Sequence, residues 1–84
     1  MAEKVHEFTK PITGADGTGY VAHAFAEKRA NVWIGWIEFR PKGGKGKALR
    51  TDEETSQPTK EAVEYWATGL EPVYLEGALK RARQ

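Results

Sequence analysis

Hydrophobic and polar positions alternate with a period of two through the middle of this chain and with a period near 3.6 through its last third. The run from Val32 to Arg40 is the clearest strand. Trp33, Ile37 and Phe39 share one face with Gly35; Val32, Ile34 and Trp36 share the other, which turns polar at Glu38 and Arg40. A strand apolar on both faces is either central and covered twice, or it presents an exposed patch. Tyr20 to Lys28 predicts a second strand, with Val21, His23 and Phe25 to one side and Tyr20, Ala22, Ala24 and Ala26 to the other. Arg29-Ala30-Asn31 is the short connection between them. Residues 3–9, with Val5 and Phe8 apolar, predict a first strand. Residues 13–19 form a turn in which Asp16-Gly17 suits positive φ angles. Pro41 to Lys47 is a glycine-rich basic loop, and Ala48 to Thr51 returns as a fourth strand.

Asp52 to Gln57 is polar and leads into a helical segment. Ser56 or Thr59 suits its N-cap, because a hydroxyl accepts from the free amides of a first turn. Ala62, Val63, Trp66, Ala67 and Leu70 fall on one side of this helix, and Lys60, Glu61, Glu64 and Thr68 on the other. Gly69 stops it. Pro72 opens a second helix whose apolar stripe is Tyr74, Leu75, Ala78, Leu79 and Ala82. Gly77 is out of place inside a helix, at about 1 kcal/mol relative to alanine, and close approach of another backbone would explain it.

These elements predict an α+β fold: a three- to four-stranded antiparallel meander followed by two short C-terminal helices packed on one sheet face. The chain forms one domain over residues 1–84. Residues 1–18 are its weakly ordered strand and turn, 19–56 its sheet and 57–84 its two-helix segment. The expected buried set is Phe25, Trp33, Ile37, Phe39, Leu49, Val63, Trp66, Leu70, Leu75 and Leu79.

Composition narrows the function classes. There are no cysteines, hence no disulfide or thiolate metal site, which suits a reducing compartment. The N-terminus lacks the apolar stretch of a secretory signal, and VWIGWI is far short of a membrane span of roughly 20 residues. The expected location is cytoplasmic. Net charge is +1, without the strong basic excess of a dedicated nucleic-acid binder. The charge is uneven, however. Arg40, Lys42, Lys45, Lys47 and Arg50 form a basic run, Asp52, Glu53 and Glu54 follow at once, and Lys80, Arg81 and Arg83 lie near the end.

The strings GWIEF (35–39), LRTDEETSQP (49–58) and YWATGLEPVYLEGAL (65–79) resemble a family of short uncharacterised bacterial proteins, over roughly residues 20–82. The resemblance implies the extent of the domain and a bacterial source. It implies no activity, and the extra lysines of residues 42–47 stand outside its pattern.

Three surfaces are candidates for function. With helices on one sheet face, Tyr20, Ile34, Trp36 and Val32 would form an apolar patch on the other, marking a contact with a protein partner or a second copy. Lys42, Lys45, Lys47 and Arg50 form a possible nucleic-acid site, with Trp33 or Trp36 offering a stacking surface; the alternative is a solvated hairpin that aids solubility. Arg50, Glu54 and Tyr74, beside Thr51, Thr55, Gln57, Tyr65 and Trp66, outline a possible small-ligand pocket. The alternative there is an internal network with Arg50 paired to Glu54. The loop lacks the G-x-x-x-x-G-K-[ST] pattern of a P-loop. Ser56, His6 and His23 have no spacing that suggests a nucleophile and base, or a metal site. The expected function is therefore a non-enzymatic interaction module without cofactor or metal. RNA binding and ligand binding are the alternatives.

Overall fold

A long hairpin organises the molecule. The computed structural model describes residues 1–84. The elements are β1 (Glu3–Glu7), β2 (Ile12–Thr13), β3 (Gly19–Arg29), β4 (Val32–Pro41), β5 (Leu49–Arg50), β6 (Thr55–Gln57), α1 (Lys60–Thr68) and α2 (Pro72–Arg81). β3 and β4 pair antiparallel from Tyr20↔Pro41 to Arg29↔Val32, leaving Ala30-Asn31 as the turn, with Ala30 at φ 53°. At roughly 3.4 Å per residue, the ten residues of β4 account for most of the 39 Å long axis. β1 and β2 share the outer edge of β3, and β5 and β6 share the outer edge of β4. The chain is thus α+β, an antiparallel sheet followed by two helices.

The N-terminal stretch is woven into this sheet. β1 pairs with β3, with an irregularity between Lys4 and His6, and Val5 and Phe8 pack against the core. On the other side, Thr55–Gln57 forms a strand where the sequence predicted only a polar lead-in. Its short polar segment has no apolar alternation to betray it; it pairs because β4 presents backbone groups at Trp33, Ile34 and Gly35 that need partners. Between β5 and β6 the ladder is interrupted opposite Trp36. The Ile37 amide donates to Thr51 Oγ1 (3.1 Å), the Thr51 amide to Ile37 O (2.9 Å) and the Glu54 amide to Gly35 O (2.8 Å). Asp52 and Glu53 bulge out between these anchors. Beyond α2 the chain returns to the same edge, where Arg50 and Arg83 exchange backbone hydrogen bonds of 2.8 and 2.9 Å.

Thr59, rather than Ser56, caps α1, accepting from the Ala62 amide at 3.0 Å. Ser56 lies in β6. Both helices cover one face of the sheet. Ala22, Ala24 and Ala26 on β3 and Gly35, Ile37 and Phe39 on β4 face them, with Ala67, Leu75, Ala78 and Leu79 opposite. The small β3 residues make room for the helices. Gly35 does so most sharply, because a Cβ there would lie 2.6 Å from Val63 Cγ1 and 3.0 Å from Thr55 Cγ2.

Of the expected buried set, Ile37, Phe39, Val63, Leu75 and Leu79 are buried, whereas Phe25, Trp33, Leu49, Trp66 and Leu70 are half-buried. One layer of two short helices does not enclose every large ring of a small sheet. The interior is built instead from the β3 alanines, Ile12, Ile34 and Trp36. Gly77 also departs from expectation. No backbone approaches it, and a Cβ there would meet only Arg81 Nη1 at an ordinary 3.5 Å.

Candidate functional site

The sheet face away from the helices carries the side chains that alternate with the core. Phe25 and Trp36 are cross-strand partners with stacked rings, 6.1 Å between centroids and 11° between planes. Arg50 enters from β5 opposite Glu38, and its Cζ lies 4.2 Å from the Trp36 ring centroid. Arg50 Nε also donates to Thr51 O at 3.3 Å. A guanidinium over an indole is the favourable arrangement for a cation–π contact, and a guanidinium so placed also shields the ring from water. Trp36 is only 1% exposed; Ile34, between Glu27 and Ser56 on the neighbouring strands, is 3% exposed.

The expected apolar patch therefore does not form. Tyr20 lies on the opposite face, edge-on to Phe39 at 6.4 Å, because it is in register with Pro41 and alternates with Val21. Ile34 and Trp36 do lie on the open face, but beneath their neighbours. Val32, at the hairpin end, keeps 39% of its surface exposed.

Ion pairs surround this centre. Glu7 approaches Lys4 (3.5 Å) and His23 (3.7 Å), Arg29 reaches Glu27 (3.9 Å) and Glu53 (3.4 Å), and Arg40 reaches Glu38 (3.7 Å). Burial, reinforced by the Lys4 charge, holds the His23 imidazole below its ordinary pKa, with Glu7 pulling the other way. The fold does not bring Ser56 and His23 together. Ser56 is in register with Ile34 and His23 with Glu38, on opposite sides of β4 and four residues apart along it, roughly 13 Å of strand. No three His, Asp or Glu side chains gather to hold a metal ion.

Of Arg50, Glu54 and Tyr74, the last two meet and Arg50 stands apart. Arg50 is committed to the open face. Glu54 turns to α2, where the Tyr74 hydroxyl donates to its Oε1 and Arg81 Nη2 donates to the same oxygen at 2.5 Å. Burial first, and then the bond to Glu54, push the Tyr74 phenol up to about 12. This cluster is a clasp between the strand edge and α2. Thr51 is buried and serves the Ile37 amide, and Thr55 accepts from Gln57 Nε2 at 2.8 Å. Trp66 lies edge-on to Tyr74, and Tyr65 points outward at 81% exposure.

The two concavities of the surface lie elsewhere. One, of about 560 Å³, runs between the turn at Thr13–Asp16 and α2 and is floored by Tyr20, Leu49 and Leu79. The other, of about 210 Å³, lies among Phe8, Ile12, Leu70 and Leu75.

Lys42, Lys45 and Lys47 are exposed on the loop after β4. None approaches a carboxylate within 4.0 Å. The acid run that follows them is spent elsewhere: Asp52 on Arg83 (3.3 Å), Glu53 on Arg29 and Glu54 on Arg81.

Phe25 is the open-face residue that sequence reasoning misplaced, since it was assigned to the core. Arg50 could have been located: pairing Leu49 with Phe39 places its neighbour on the face of Trp36. Against known proteins, the chain matches no family model, no curated protein and no solved structure.

Proposed function

We propose that this chain is a non-enzymatic interaction module that associates, as a second copy on a second copy, through the sheet face opposite its helices. The observation that carries this reading is the construction of that face. It has no covering layer, yet it holds a stacked Phe25–Trp36–Arg50 centre within a ring of mixed charges. Lys4, Arg29, Arg40 and Arg50 are balanced against Glu7, Glu27 and Glu38, so the face has little net sign. A surface with both signs interspersed can be its own complement across a two-fold axis, where each cation meets the carboxylate of its partner. Val32 and the half-buried Val21 and Phe25 supply the apolar contact. Sheets pack on one another through such faces, roughly 10 Å apart.

Edge-to-edge pairing is the less favoured mode. β1 carries Glu3, Lys4 and Glu7 and an irregularity, and the β5 edge is already occupied by Arg83.

The test is sedimentation of the purified chain over about a hundredfold range of concentration. Reversible dimerisation is expected, weakened about tenfold or more by Val21→Glu with Val32→Glu, a loss of about 1.4 kcal/mol. A monomer throughout, or a dimer indifferent to this double substitution, would overturn the assignment of the face.

A further inference from the structure

We infer that the β4–β5 loop is a second, independent binding site, one that holds the phosphodiester backbone of a nucleic acid without reading its bases. Four of the five arginines are held in ion pairs, and the fifth lies over Trp36. Lys4 and Lys60 are paired as well. The unpaired lysines are Lys10, Lys28, Lys42, Lys45, Lys47 and Lys80, and half of them occupy one short loop. Lys80 stands near the base of this loop, since it lines the same groove as Leu49. The fold thus neutralises its cations nearly everywhere except at this end.

The loop backbone points the same way. Gly43, Gly44 and Gly46 hold φ of 86°, 77° and 94°, and the amides of Gly43, Lys45, Gly46, Lys47 and Ala48 donate to no group of the protein. The base is fixed by Lys42 N donating to Gly19 O (2.9 Å) and Gly44 N donating to Pro41 O (3.3 Å). Lysines interleaved with free amides on an anchored loop make a surface for successive anionic oxygens.

Three observations select a nucleic-acid backbone. Between Pro41 and Leu49 the loop contains only Lys, Gly and Ala, so it has neither the guanidinium and amide side chains that read base edges most specifically nor the large apolar side chains that enter a bilayer. The large exposed hydrophobics, Met1, Val32, Tyr65 and Val73, all lie outside it. Of the two stacking platforms the sequence suggested, Trp36 is sealed beneath Arg50 and Trp33 lies half-buried near the hairpin end of β4, eight residues from Pro41, which leaves charge as the means of binding.

Fluorescence anisotropy with a labelled mixed-sequence single-stranded RNA, read from low to moderate salt, tests this site. Three lysine contacts to a single strand predict a log–log salt slope near −2, or roughly a 20-fold loss of affinity for a fourfold rise in salt. Lys42→Gln/Lys45→Gln/Lys47→Gln should abolish that dependence. Lys10→Gln/Lys28→Gln/Lys60→Gln removes the same charge away from both the loop and the open sheet face and should retain most of the binding. Absence of binding, or equal losses in the two variants, overturns the site. So does binding to phosphatidylserine vesicles with none to RNA. The loop and the sheet face are separate surfaces, so sedimentation and anisotropy can fail independently.

Discussion

Two glycines separate what a side chain would meet from what a backbone prefers. Gly35 sits mid-strand beneath α1, and the missing Cβ is what allows Val63 to reach the sheet. Gly35→Ala places a methyl group 2.6 Å from Val63 Cγ1, so helix and strand must part. A loss of about 1–3 kcal/mol is expected, as for an overpacked core. Gly77 sits inside α2 with ordinary space around its absent Cβ. Gly77→Ala should therefore stabilise by up to about 1 kcal/mol, the helix-propensity difference. Urea unfolding of both variants checks the pair: opposite shifts in midpoint are expected, and shifts of the same sign would refute the steric account. The sequence marked Gly77 as out of place and expected a close backbone there, but gave Gly35 only a position on a strand face. The distinction rests on which side chain the fold brings overhead.

The helices and long strands were legible because their periodicity is sustained over nine or more residues. β5 and β6 were legible only in part, because two or three residues carry no period. Their pairing is dictated by the backbone groups of β4. The same holds for the clasp on α2. Charge order alone suggested Arg50 with Glu54, two elements that the alternation of β5 in fact turns apart. Glu54 instead receives Tyr74 and Arg81, 20 and 27 residues further along the chain, a separation that no local pattern reveals. The two helices are thus anchored differently. α1 has a hydroxyl cap in Thr59; α2 has no side-chain cap at Glu71 and relies on Leu75, Ala78, Leu79 and the clasp. Tyr74→Phe removes the hydroxyl donor from a carboxylate that is 10% exposed, with an expected loss of about 1–2 kcal/mol. Thr59→Ala should lose about 1 kcal/mol. Amide exchange distinguishes the two: Tyr74→Phe should accelerate exchange in α2 and Thr59→Ala in the first turn of α1, and a reversed pattern would reject this division of anchors.

For the whole molecule, the alternation of β3 and β4 correctly indicated that one sheet face lacks helices. It did not indicate that this face would cover itself, since that depends on Arg50 arriving from a neighbouring strand. The self-covered face also couples local charge to global stability. His23 is largely buried there, facing Lys4 and Glu7 from β1 and Glu38 and Arg40 from β4. Its native pKa lies below the ordinary 6.5, chiefly through burial. Between those two values the unfolded chain binds more protons than the native one, so stability rises with pH across the interval. The stability associated with neutral His23 is complete above the unfolded value and is lost as pH falls through 6.5 towards the native value. A chain of this size unfolds as a unit, so one proton should register in every probe. Urea midpoints should fall between about pH 7.5 and pH 5.5, a range in which ordinary carboxylates stay ionised. His23→Gln should flatten that slope. A slope that persists in His23→Gln would assign the proton to another group and remove His23 from the account of how this face is held.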